Sequence, residues 1–136
     1  MDLTQYGKDI EKALDQAVSD HIQLTQGKLV KYSPVDTGRF KSSWFIGHNQ
    51  DPQGSRPKDW AARGSKRVDV ERYSGKITAD GIWNLVNNVP YAQKVAYDPR
   101  YAGGPGSVGG ANWYLAIVTQ QPFDLNKQIT KQMRKI

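Results

Sequence analysis

Cysteine is missing altogether from these 136 residues, and histidine occurs only twice. The first absence excludes disulfides, thiolate metal sites and cysteine nucleophiles, and is neutral about compartment. The second leaves little for imidazole chemistry: His21 falls on the apolar stripe of a helix, where a lone histidine packs, and His48 lies in a different kind of segment. No metal site is expected. Long apolar runs are lacking too, since none approaches the roughly 20 residues that a membrane span requires. The opening MDLTQYGKDIEKALDQ carries acids where a leader would have a basic stretch before an apolar one, so the chain reads as soluble and unexported. Apolar residues make up only 38% of the composition and mean hydropathy is −0.70, low values for a compact globule. With 13 glycines and 7 prolines, a large share of loop follows, part of it ordering only against a partner.

What is present describes one domain, residues 1–136, with an excess of positive charge. The formal net charge is +6 and the isoelectric point about 9.6, which allows attraction to nucleic acid, anionic membrane or an acidic protein surface. The excess is spread out. Residues 51–76 carry seven cations against four acids, and the tail from Gln121 four against one, so no block reads as a dedicated DNA-binding arm.

Leu3, Tyr6, Ile10, Leu14, Ala17, His21, Leu24, Lys28 and Tyr32 recur at steps of three or four and predict a helix over about residues 3–31. Val18, Ile22 and Leu29 widen its stripe beyond what one small sheet needs, leaving part of it for a neighbouring subunit. Ser33-Pro34 ends the helix, because proline disfavours helical backbone in the residue before it. In the following YSPVDTGRFKSSW, Asp36 or Thr37 caps a short helix at about 37–43, and Gly38 permits a tight turn. Trp44 to His48 has the aromatic and β-branched character of a strand. Residues 49–66 read as an exposed loop; Val68 to Tyr73 alternates like a half-buried strand, and Ile82 to Val89 is a further β-rich run. A short helix from Pro90 to about Asp98 precedes a glycine-rich loop at 99–112. Beyond it a C-terminal helix, interrupted or restarted at Pro122, carries a basic outer face. The fold expected is α+β: a long N-terminal helix, a small mostly antiparallel sheet with long loops, and a C-terminal helix.

No catalytic set stands out. A phosphate loop needs several glycines ahead of a Lys-Ser pair, and only Gly38 precedes Lys41-Ser42. Ser42 or Ser43 as nucleophile would need a histidine base oriented by an acid, a pairing with no support in spacing. The interleaved Arg56, Lys58, Trp60 and Arg63 look at first like the aromatic-plus-cation chemistry that grips single strands, although a solvated loop with one anchoring tryptophan is the commoner outcome.

Two separated signals, PVDTGRFKSSW at 34–44 and VNNVPYAQKVAYD at 86–98, together resemble the small tail-completion, or head-to-tail joining, proteins of tailed bacteriophages. Pro34, Val35, Asp36, Thr37 and Gly38 match that family's corner, with Ser42 or Ser43 as the serine that follows; Asn88, Tyr91 and Ala92 match its Asn-x-x-Tyr-Ala segment. The chain departs at Ala96, where the family usually has glutamate, and at Asp98, where glycine usually follows the aromatic. The resemblance implies a non-enzymatic virion protein of the neck, assembled in the host cytoplasm, without cofactor. It implies a homo-oligomeric ring, commonly sixfold, between the head connector or head-completion protein and the tail terminator or tail-tube protein. DNA would pass through such a ring without sequence-specific binding. The interface residues expected are Arg56, Lys58, Trp60, Arg63, Tyr101 and Trp113. A free-standing basic nucleic-acid-binding protein is the alternative, motivated by the isoelectric point and the tryptophan-bearing loop.

Overall fold

A computed structural model describes residues 2–34, 38–63, 67–104 and 109–136, leaving aside the side chains of 61–63. Val35, Asp36 and Thr37 lie outside the described residues, as does the Arg63 side chain. The chain is α+β, with α1 at Leu3–Tyr32, β1 at Trp44–His48, β2 at Trp83–Asn87, α2 at Ala92–Tyr97 and α3 at Trp113–Met133.

α1 begins where Asp2 accepts the Thr4 amide at 2.9 Å and ends at Ser33, whose amide bonds back to the Leu29 carbonyl just before Pro34. The buried face of α1 is Ala13, Ala17, Ile22, Thr25 and Leu29; Ala17, Ile22 and Leu29 belong to the expected stripe or its widening, whereas Ala13 and Thr25 do not. Leu3, Tyr6 and Leu24 are exposed instead, Leu3 by 77%. That face packs chiefly on α3. Asp20 accepts from Gln132 at 3.3 Å and Thr25 donates to Gln121 at 3.0 Å, so one helix rises as the other falls and the pair is antiparallel. Lys28 reaches Asp124 at 2.8 Å across the same seam.

Pro122 does not divide α3. The helix runs through it over 21 residues. The proline removes only the N–H that would have bonded the Val118 carbonyl, and Val118 is exposed, so water can take that carbonyl.

The sheet has two strands, β1 antiparallel to β2, with Trp44 opposite Asn87 and His48 opposite Trp83. Val68–Tyr73, expected as a strand, joins no ladder. The loop expected at 49–66 holds a 3₁₀ helix at Lys58–Arg63, and the short helix expected at 37–43 is a single 3₁₀ turn at Lys41–Ser43. The core gathers where α1, the corner, α2 and α3 converge: Leu29, Phe40, Trp44, Val89, Val95, Trp113 and Ile117.

Candidate functional site

The corner after α1 is built by backbone contact and serine hydroxyls. Gly38 has φ +86°, and its missing side chain leaves room for Arg67, whose carbonyl oxygen would lie 1.9 Å from a Cβ there. Ser42 Oγ accepts the Asp69 amide at 2.9 Å and Ser43 Oγ accepts the Arg56 amide at 3.0 Å. In turn Ser43 donates to the Arg39 carbonyl at 2.6 Å, while Arg39 Nε donates to the Arg56 carbonyl at 2.7 Å. Both serines are fully buried. Their hydroxyls therefore bind the 50s loop and residue 69 to the corner. Neither histidine joins them: His21 faces α3, and His48 stacks on Trp83 at 4.0 Å.

The two motif stretches meet in space. Asn87 donates to the Phe40 carbonyl at 2.8 Å, the Phe40 and Tyr91 rings lie 6.5 Å apart, and the Arg39 guanidinium stands 5.9 Å from the centre of the Tyr91 ring. Ala92 packs on the core, and Asn88 donates to the Pro52 carbonyl at 2.8 Å, holding the far loop. Sequence reasoning singled out Asn88 and missed Asn87. Asn87's place in β2 directly opposite Trp44 puts its side chain beside the corner, and register of that kind is not readable before the strands are paired.

The six residues expected at an interface divide sharply. Trp60 is 2% exposed, gives its indole N–H to the Arg67 carbonyl at 2.8 Å, and lies under two guanidinium groups, Arg56 at 5.0 Å and Arg67 at 4.1 Å. It anchors the loop rather than offering a face to a partner. Trp113 is wholly enclosed, and Tyr101 is half-buried against the same core. Arg56, half-buried, donates to the Asp69 carbonyl at 2.8 Å; Lys58 is exposed. The basic face of α3 is as expected, with Lys127, Lys131, Arg134 and Lys135 all exposed.

Asp98, at one of the departures from the motif, closes the turn after α2. It accepts from the Arg100 amide at 2.9 Å and from the Arg100 guanidinium at 2.6 Å, and these hydrogen bonds lower its carboxyl to about 2. Among the described residues no cluster of three or more His, Asp or Glu side chains is arranged to hold a metal ion.

His21 gives the helix seam a dependence on pH. Burial pushes its imidazole below the ordinary 6.5, against the opposing pull of Asp124 and a hydrogen bond with Gln121, while Lys28 adds to the lowering. An unfolded chain then binds the proton first, so this group's contribution is full above about pH 6.5 and falls as pH drops through that value toward the lowered one. Denaturant unfolding should show stability declining between neutral pH and about pH 5, with His21→Gln flattening part of the decline. An identical slope in the variant would remove His21 from the account.

No family model, curated protein or solved structure matches the chain.

Proposed function

We propose that the protein is a structural subunit of a tailed-phage neck, closing with copies of itself into a ring that joins the head connector to the tail. The observation that carries this reading is the amount of large apolar surface left uncovered on the two long helices. Leu3 and Tyr6 stand on the first turns of α1, ahead of its first buried residue, Ala13. Leu24 on the same helix and Leu115, Val118 and Phe123 on α3 are also exposed, Phe123 by 78%. A chain with so few apolar residues would not leave these in water without a use, and burying them between subunits completes the interior that one copy lacks. The two motif stretches support the same reading, since their residues in the described part meet around one corner and stabilise it instead of forming a reactive centre. Among the described residues no helix is long and apolar enough to cross a membrane. The neighbours on either side would be a head-completion protein and a tail terminator or tail-tube protein, with DNA passing through the ring by geometry rather than sequence.

The free-standing nucleic-acid-binding alternative drew on the loop at 56–63. With Trp60 buried beneath Arg56 and Arg67, that loop has no open ring on which a base can stack.

Negative-stain microscopy of the purified protein, alone and with its connector, should show closed rings. A phage lacking the gene should yield DNA-filled heads and normal separate tails that fail to join. Complete joined particles from that phage would overturn the reading, and a block in DNA replication would point to the alternative.

A further inference from the structure

A groove of about 1180 Å³ runs along α1 on the side away from α3. Its α1 wall extends from Lys8 to Lys31 at helical steps, a length of about 35 Å at 1.5 Å per residue, and residues 70–77 form the opposite wall with Ile46 of β1 between. An extended peptide of about ten residues spans that distance. Lys8, Lys12, Lys31, Arg72 and Lys76 line it against two acids, Glu11 and Asp15. Asp15 is already engaged, accepting the Ala79 amide at 2.7 Å.

The far wall is held in place by side chains. The carbonyls of Arg67, Asp69 and Glu71 accept from Trp60, Arg56 and Gln26 side chains, at 2.8, 2.8 and 3.4 Å. Gln26 is itself a groove residue of α1, so this bonded edge faces the groove and fixes the wall that carries Arg72 and Lys76.

We propose that the groove receives an extended acidic segment of a partner protein, which lies along α1 and sets its carboxylates against the five cations. A nucleic-acid strand suits the site less well. Single strands are gripped by open aromatic platforms, and the groove's aromatic, Tyr73, is engaged edge-on with Trp83 at 5.2 Å. The Glu11 carboxylate also opposes a backbone charged at every nucleotide, whereas a peptide can space its acids. Gln26, which already holds main-chain carbonyls of Trp44 and Glu71 at 2.9 and 3.4 Å, shows the kind of contact the wall makes with a peptide. The chemistry of the groove holds whether or not the subunit closes into a ring.

Fluorescence anisotropy on the full chain tests this with three labelled probes: an alternating Glu-Val peptide of about twelve residues, its Gln-Val counterpart, and an oligothymidylate of similar length. The acidic peptide should bind saturably, and at least ~10-fold more tightly than the Gln-Val peptide. Combining Lys12→Glu, Arg72→Glu and Lys76→Glu should weaken it at least ~10-fold, while Arg134→Glu with Lys135→Glu on α3 should change it less than ~2-fold. Because the triple variant must first be shown folded by circular dichroism, salt on the unaltered chain gives an independent readout: raising the sodium chloride concentration severalfold should weaken binding of the acidic peptide. Absence of saturable binding, equal binding of the Gln-Val peptide, equal weakening by the α3 pair, or binding of the acidic peptide that salt leaves unchanged would each overturn the proposal. Tighter binding of the oligothymidylate, lost in the groove variant, would assign the groove to nucleic acid instead.

Discussion

Trp113→Ala is expected to destabilise the fold by about 3–5 kcal/mol, the range for removing a large aromatic from a close-packed core. Trp113 is wholly enclosed at the start of α3, with Phe40 edge-on at 6.2 Å and Tyr114 at 5.8 Å. Phe40 comes from the corner, so the indole joins the C-terminal helix to the turn that follows the N-terminal one. Its removal opens a cavity where those elements converge, and α3 should loosen from the corner. Trp113→Phe separates two terms. The indole N–H is buried with no acceptor among the described residues, a group whose desolvation costs about 1–3 kcal/mol, so phenylalanine removes a penalty while it removes volume. The phenylalanine variant should therefore lose far less than the alanine one, about 1 kcal/mol or less. Urea unfolding of the three proteins checks this. A phenylalanine variant as unstable as the alanine variant would mean that the indole N–H is satisfied in solution.

The extents of the helices were legible because their end signals are local. Ser33-Pro34 stops α1 one residue beyond the expected end, and the start falls at Leu3 as the periodicity marked, with Asp2, not singled out in the sequence, as its cap. The buried side of α1 was legible in its middle, since Ala17, Ile22 and Leu29 lie on the expected stripe or its widening. Periodicity also selected Leu3, Tyr6 and Leu24, which are exposed, and it passed over Ala13 and Thr25, whose hydroxyl reaches Gln121. Hydrophobic patterning carries no information about such polar contacts.

Val68 to Tyr73 fails as a strand for a related reason. The alternation was real, but a strand is a ladder, and here the carbonyls that would form it are taken by Trp60, Arg56 and Gln26 from the loop and α1. Of the candidate site, the corner was placed correctly along the chain, and Trp44 to His48 is the strand expected after it. Trp60 and Trp113 were expected at an interface, with an anchoring role the commoner outcome for Trp60. The anchor holds, through Arg56 and Arg67 only four and seven residues away, whereas Trp113 is enclosed with Leu29, Phe40 and Val95 from distant parts of the chain. The groove along α1 was invisible for the same reason, since its walls are some fifty residues apart in sequence.

Gly38→Ala should cost roughly 3 kcal/mol, more than its small change in volume would indicate. Two effects add. At φ +86° an L-residue loses about 1–2 kcal/mol relative to glycine. A Cβ would also stand 1.9 Å from the Arg67 oxygen and 2.7 Å from its carbonyl carbon, both backbone atoms that no rotamer change can clear. Relief requires residue 67 to move, and that movement breaks the bond from Trp60 to the Arg67 carbonyl and the bond from the Asp69 amide to Ser42. Gly54 supplies the control: its φ is +87°, nearly the same, but nothing lies within 4 Å of its Cβ position. Gly54→Ala should therefore show the backbone cost alone, about 1–2 kcal/mol. Thermal unfolding measures both, and limited proteolysis locates the damage, with cleavage in residues 50–66 accelerated in Gly38→Ala and little changed in Gly54→Ala. Equal losses in the two variants would mean that the approach of residue 67 does not constrain the corner, and that the glycine of the Pro-Val-Asp-Thr-Gly stretch is there for its backbone conformation only.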